Sequence, residues 1–248
     1  PTRRSSDLTV GKRRFMNNIV GLSKIGLVRK QNEDRFFISD NICAVTDGMG
    51  GYRGGEIAST YAVDEIKEYL QSTPTINETS LVDAILHANT RIVNRVAREE
   101  RLSGMGTTAV VVAKVDDNLL WASVGDSRLY IYRNDELTQI TTDHSMVQQL
   151  LDAGEITKEE MIVHPQRNLL TRAVGVEEDL HVDSGTLPVK SGDRILLCTD
   201  GLSGYISDER IREVLHHIDD NTEVLNTLIA DVYDAGAGDN VTIIVGTI

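Results

Sequence analysis

Apolar positions change period several times along the chain, and each change marks an element. Residues 18–28 and 36–45 carry apolar side chains without helical spacing, so both are predicted as strands with a turn between them. From Gly54 to Leu70 the spacing shifts to three and four. Ile57, Ala58, Tyr61, Ala62, Ile66, Tyr69 and Leu70 then share one face of a helix. A second helix is predicted over 80–101, with Leu81, Ile85, Ala88, Ile92 and Val96 inward and Thr79 or Ser80 as its cap. Residues 107–115 and 119–124 are β-branched or apolar runs joined by Asp116-Asp117-Asn118, a hairpin signal, and 129–132 continues the series. A short helix over 145–153 stops at Gly154, and the polar stretch from there to Val174 shows no clear period. Strands are predicted over 180–187 and 193–198, helices over 208–216 and 222–233, and a closing strand over 241–248. Strands follow strands and helices come in consecutive pairs. That pattern is α+β, antiparallel sheets covered by helix pairs, rather than the one-for-one alternation of a doubly wound sheet.

Length and composition narrow this picture. The 248 residues can bury a substantial core, and with no low-complexity linker one domain over 18–248 is expected, preceded by a loose basic extension over 1–17. Aromatics make up only 4%, so Val, Ile, Leu and Ala must fill the interior. A net charge of −13 argues against nucleic acid as a partner, because binding phosphodiester needs a basic surface. No apolar run is long enough to span a membrane and no secretory leader is seen. The two cysteines, Cys43 and Cys198, sit in apolar runs and are expected to be buried thiols in a reducing, cytoplasmic setting.

The candidate chemistry lies in acidic turns beside apolar strands. Ile42 to Gly48 ends in Thr46-Asp47-Gly48, and Ile195 to Gly201 ends in Thr199-Asp200-Gly201. Trp121 to Asp126 ends in Gly125-Asp126, and Asp239 precedes the last strand. If these strand ends converge, their carboxylates repel, and a divalent cation relieves the repulsion. An all-oxygen donor set suits Mg2+ or Mn2+. Asp-Gly is also a common turn dipeptide, so spacing alone leaves a metal site and a plain turn both open. Arg29 to Asp34 is either a solvated loop or a phosphate grip beside such a site.

Taken together and in order, Arg29 to Asp34 (R-x-x-N-E-D), Asp47 to Gly51, Gly54-Gly55-Glu56, Gly104 to Thr108, Gly125 to Arg128, Thr142 to Ser145, Asn168 to Gly175, Gly192 to Ser203 and Gly238-Asp239-Asn240 resemble the PPM family of protein phosphatase 2C-like enzymes in its bacterial form. The resemblance implies a four-layer αββα sandwich of two stacked antiparallel sheets flanked by pairs of antiparallel helices. It implies a metal-dependent protein serine/threonine phosphatase with two Mn2+ or Mg2+ ions and a possible third. Asp47 is then the bridge between the two ions, Asp200 and Asp239 hold the first, and the Gly48 carbonyl and, through water, Glu33 hold the second. Asp126 with Asp200 would take the third ion, Arg29 would bind the phosphate, Asn240 would support the site, and Gly201 would serve only as a turn. Hydroxide bridging the metals would attack phosphorus directly. A cysteine-based phosphatase is excluded, since Met49 and Gly204 stand six residues after the cysteines where such enzymes need arginine.

Tyr52 departs from the family, whose bacterial members often carry His after Asp-Gly-Met-Gly-Gly. It is a candidate for substrate access, together with Met146 and Arg167 in a flap over 146–174. The general acid is unassigned; His144 is expected to be structural and His164 to lie on the surface. The expected partners are phosphorylated proteins and a cognate Ser/Thr kinase, with the enzyme a monomer. Two further readings are a phosphatase of a stress-signalling anti-sigma antagonist and an inactive binding module on the same fold.

Overall fold

The computed structural model describes residues 17–51 and 54–248. Residues 1–16 of the expected extension, and Tyr52, lie outside the described residues. The first half holds β1 (Asn17–Lys24), β2 (Asp34–Ile38), β3 (Ile42–Met49), α1 (Gly54–Ser72), α2 (Glu78–Val96), β4 (Gly106–Thr107), β5 (Ala109–Val115) and β6 (Asn118–Val124). The second half holds β7 (Arg128–Arg133), β8 (Glu136–Gln139), α3 (Met146–Asp152), α4 (Lys158–Val163), β9 (Asp183–Pro188), β10 (Arg194–Cys198), α5 (Asp200–Ser203), α6 (Asp208–His217), α7 (Asn221–Asp234) and β11 (Val241–Thr247).

The strands form two antiparallel sheets. One runs β1-β11-β10-β7-β8, the other β2-β3-β5-β6-β9, with β4 pairing onto β3. Side chains alternate across a strand, so a strand buried on both faces reads as one continuous apolar run. Cys43 and Val45 point between the sheets, whereas Ile42 and Ala44 point toward α1 and α2. In β10 Ile195 and Leu197 face the other sheet, and Leu196 and Cys198 face α6 and α7. Three separate apolar layers result, which is what a four-layer αββα sandwich requires.

Several boundaries differ from expectation for local reasons. The run 36–45 is two strands, because Ser39 closes a turn in which its hydroxyl bonds Ile42. The first strand stops at Lys24, and 25–33 is a loop. The second long helix starts at Glu78, not Ser80. Asn77 caps it, accepting from the Ser80 amide, while the Ser80 side chain accepts from the Asn77 amide. It ends at Val96, followed by a 3-10 turn over Glu100–Leu102. The polar stretch after Gly154 holds α4, capped by Thr157 and Glu160, and this helix buries none of its own residues, so its sequence carries no apolar face.

Candidate active site

Two carboxylates reach the site in ways that correct the sequence reading. Asp47 does not stand at a turn: β3 continues through Gly48 and Met49, which pair with Thr107 and Gly106. Gly48 is needed for close approach, since a Cβ there would overlap the Gly55 carbonyl at the start of α1. Asp200 follows β10 after Thr199 and opens the one-turn helix α5. Gly201 is not merely a turn either, because a Cβ on it would overlap the Asn240 carbonyl. Asp126 follows β6 at Gly125, whose φ of +98° favours glycine. Asp239 immediately precedes Asn240 and β11.

All four acids line one cavity of about 200 Å3, together with Arg29, Glu33 and Gly48. Thr108, Asn168 and Leu170 also line it. Sequence reasoning gave these three no individual role, although all lie in quoted motifs. Arg167 lines an adjoining cavity of about 130 Å3 that shares Asp126 and Asp200, whereas Met146 is not among the lining residues of either. His164 sits at the end of α4, where its Nδ1 accepts from the Gln166 amide.

The backbone under the carboxylates is tightly held. The Thr108 hydroxyl accepts from the Asp47 amide at 2.9 Å, and the Asp47 carbonyl accepts from the Thr107 hydroxyl at 2.8 Å and the Thr108 amide at 2.9 Å. Asn240 joins β11 to the loop before β2, accepting from the Glu33 amide at 2.9 Å and donating to the Gln31 carbonyl at 2.9 Å. Replacing it by alanine orphans both groups. Asn240→Ala is expected to cost about 1–3 kcal/mol in urea unfolding and to speed hydrogen exchange at the Glu33 amide.

Burial and mutual repulsion dominate the electrostatics. Burial first, then the charges of Asp34, Asp200, Asp126 and Asp239, push the Asp47 carboxyl well above its ordinary range. Burial and Asp239 raise Asp200 to about 6. Burial and Asp200 raise Asp126. Asp34, not singled out from sequence, belongs to the same system. It accepts from the Thr199 hydroxyl at 2.9 Å and the Thr242 hydroxyl at 2.7 Å, and burial raises it to about 7. The guanidinium of Arg29 meets Asp239 at 2.6 Å. One oxygen of Asp200, Oδ1, is buried without a hydrogen-bond partner. Among the described residues no three or more acidic, His or Cys side chains are already gathered closely enough to hold a metal ion.

Two of the quoted motifs pair with each other. Arg128 grips Asp143 through Nε and Nη2, the latter at 2.7 Å, and also donates to the Tyr130 hydroxyl. His144 holds the turn that carries Asp126. Its amide donates to the Gly125 carbonyl at 2.9 Å, and its Nδ1 accepts from the Gly125 amide at 3.1 Å. An amide can only donate, so Nδ1 is bare; Nε2 lies 3.0 Å from Asp183 Oδ2, which favours a proton there, and 3.2 Å from Arg172 Nη1. Arg172 braces Asp183 at 2.8 Å. Burial lowers the His144 pKa, so the ring stays neutral in acid that protonates an unfolded chain. The stability it contributes is full above about pH 6.5 and declines as the solution is acidified through the folded-state pKa. Nitrogen-15 shifts followed through an acid titration are expected to show a ring protonated on Nε2 that charges at lower pH than histidine in an unfolded chain; charging at or above the unfolded-chain value contradicts the assignment.

An acid-lined cavity at one end of a four-layer sandwich is the arrangement of the PPM class of hydrolases. The sequence pattern of the protein phosphatase 2C family matches residues 29–235, and the chain belongs to that family. It is a protein serine/threonine phosphatase. It is 37% identical over 229 residues to the serine/threonine phosphatase stp of Listeria innocua, covering 88% of this chain and 91% of that one. The crystal structure of the Mycobacterium tuberculosis serine/threonine phosphatase PstP/Ppp superposes with a TM-score of 0.87 at 38% identity, covering 93% of this chain and 97% of that one. The catalytic domain of the phosphatase PstP in complex with two manganese ions superposes with a TM-score of 0.86 at 36% identity, covering 92% and 96%.

Proposed function

We propose that the chain hydrolyses phosphoserine and phosphothreonine in proteins using divalent cations held by Asp47, Asp200 and Asp239, with the Gly48 carbonyl and a water-linked Glu33 completing the set. Asp126 and Asp200 together offer a place for a third ion. The observation that carries this reading is the convergence of four carboxylates, from both sheets, on one cavity where burial and repulsion raise the pKa of at least three of them. Hard oxygen donors without thiolate or imidazole, one of them the unpartnered Asp200 Oδ1, fit Mn2+ or Mg2+. The two manganese ions in the complex of PstP support the same reading. When bound, such ions acidify a water and neutralise phosphoryl charge.

The chain's own residues supply the placement. Arg29 engages Asp239 through one nitrogen and keeps further N–H donors for a phosphoryl oxygen. Thr107 and Thr108 fix the Asp47 backbone, Asn240 fixes Glu33, and Asn168 and Leu170 close the flap side. No histidine lines the cavity among the described residues. Both cysteines are buried, with thiols pushed up by burial, which removes them as nucleophiles. No helix among the described residues is long and apolar enough to cross a membrane. The same proposal includes a domain over 18–248, a monomer in the cytoplasm, and phosphoproteins made by a cognate Ser/Thr kinase as substrates.

Hydrolysis of a phosphothreonine peptide with Mn2+ tests the reading. Activity is expected to vanish with excess chelator and return with added Mn2+. Turnover that persists in chelator sinks the metal-dependent mechanism.

A further inference from the structure

A cavity of about 970 Å3 lies beside the catalytic one and shares Arg29 and Glu33 with it. Lys30, Gln31, Ile57, Arg101 and Leu102 complete its wall. A further cavity, of about 370 Å3, is lined by Tyr61, Arg91, Asn94, Arg95, Arg98 and Glu99. Their walls touch where Arg101 of the first reaches Glu99 of the second at 2.8 Å.

The charge here runs against the rest of the molecule. The chain has 38 acidic and 25 basic residues, yet these two cavities present Arg29, Lys30, Arg91, Arg95, Arg98 and Arg101 against only Glu33 and Glu99. Arg91, Arg95 and Arg98 follow one another at spacings of four and three, which puts them along one side of α2 and its extension, and Arg101 continues the series in the 3-10 turn. Neighbouring acids take only part of this charge: Arg29 pairs with Asp239 and Arg91 with Glu65, while Glu99 serves both Arg95 and Arg101. The Arg101 side chain is 74% exposed, and Lys30 has no ion-pair partner among the described residues. A guanidinium held by one carboxylate keeps further donors free. Ile57 and Leu102 add an apolar portion to the first cavity, which suits a polypeptide better than a free anion.

We infer that this basic cleft receives the polypeptide flanking the phosphorylated residue and selects substrates with Asp or Glu on that flank. The inference rests on the phosphatase reading above. With the phosphate beyond Arg29, the peptide leaves the catalytic cavity past Glu33 into the cleft, where Lys30 and Arg101 come first and the other arginines follow.

The test uses matched phosphothreonine peptides with acidic, neutral or basic residues on one flank, then on the other, with para-nitrophenyl phosphate as a flankless substrate. The protein is wild type or the K30E/R101E double variant, both changes being at exposed positions. Wild type is expected to favour acidic over basic flanks by about tenfold in kcat/KM, as two or three partly exposed charge pairs would give, and to lose much of that preference in high salt. The variant is expected to lose or invert the preference while its loss on para-nitrophenyl phosphate is far smaller. Equal turnover of all peptides by wild type, or an unchanged preference in the variant, overturns the inference and leaves the phosphatase reading standing. Failure to hydrolyse any phosphopeptide with Mn2+ overturns both.

Discussion

Asp200→Ala is expected to lower kcat with saturating Mn2+ by about 10^3-fold while the chain stays folded and, without metal, becomes slightly more stable. These two effects have one cause. Asp200 is buried next to Asp239 and Asp47, its carboxyl is raised to about 6, and one of its oxygens has no protein partner. At neutral pH it is a buried ionised group whose repulsion from Asp239 is only partly offset by Arg29 and Arg128, so its removal relieves the metal-free fold. Its value to the enzyme lies in binding a cation. In wild type, Mn2+ at about a hundred times its dissociation constant adds about 2.7 kcal/mol of stability. That increment should largely disappear in the variant. Thermal melts with and without Mn2+, alongside peptide turnover, decide the matter. A variant that melts lower without metal, or that keeps its Mn2+ increment, would show that Asp200 has a structural role instead.

Gly201→Ala is expected to destabilise the chain by about 3 kcal/mol and to weaken metal binding, although the change adds a single methyl group in a helical turn. Propensity alone predicts the opposite, since alanine favours helix over glycine. The difference is the Asn240 carbonyl, which occupies the space a Cβ would need. Asn240 cannot yield freely, because its side chain holds the Glu33 amide and the Gln31 carbonyl. A push at Gly201 therefore reaches Asp239 on one side and the loop with Arg29 and Glu33 on the other. Urea unfolding and calorimetric Mn2+ titration measure the two consequences. An unchanged midpoint would mean that α5 and the start of β11 slide apart without cost.

Legibility followed the range of the forces involved. The helices over 54–72 and 208–217 were visible because each buries one face, and spacing reports a face directly. The hairpin hidden in 36–45 was missed because Ser39 makes its turn with a side-chain hydroxyl, not with Gly or Pro. Helix α4 was missed for the converse reason: it buries none of its residues, so no periodic signal exists. Asp34 carries no local signal of its own. Its interest comes from Thr199 and Thr242, 165 and 208 residues away. His144 was expected to be structural, and its grip on Gly125 depends on which atoms face which, information that no spacing contains.

By itself, the sequence determined the α+β class, the ends of most elements, and a set of acids that resemblance to a family turned into candidate ligands. Those are local properties: side-chain period, capping chemistry and residue type. Spacing left each Thr-Asp-Gly undecided between turn and ligand. The tertiary structure decided that Asp47 lies within a strand, that Asp200 starts a helix, and that both face one cavity with Asp126 and Asp239. It also showed why the glycine after each aspartate must lack a side chain: another segment's carbonyl lies against it, from Gly55 in one case and Asn240 in the other. Like charges brought together from opposite ends of the chain acquire their raised pKa only when the two sheets stack, because desolvation and repulsion depend on distance in space and not along the chain.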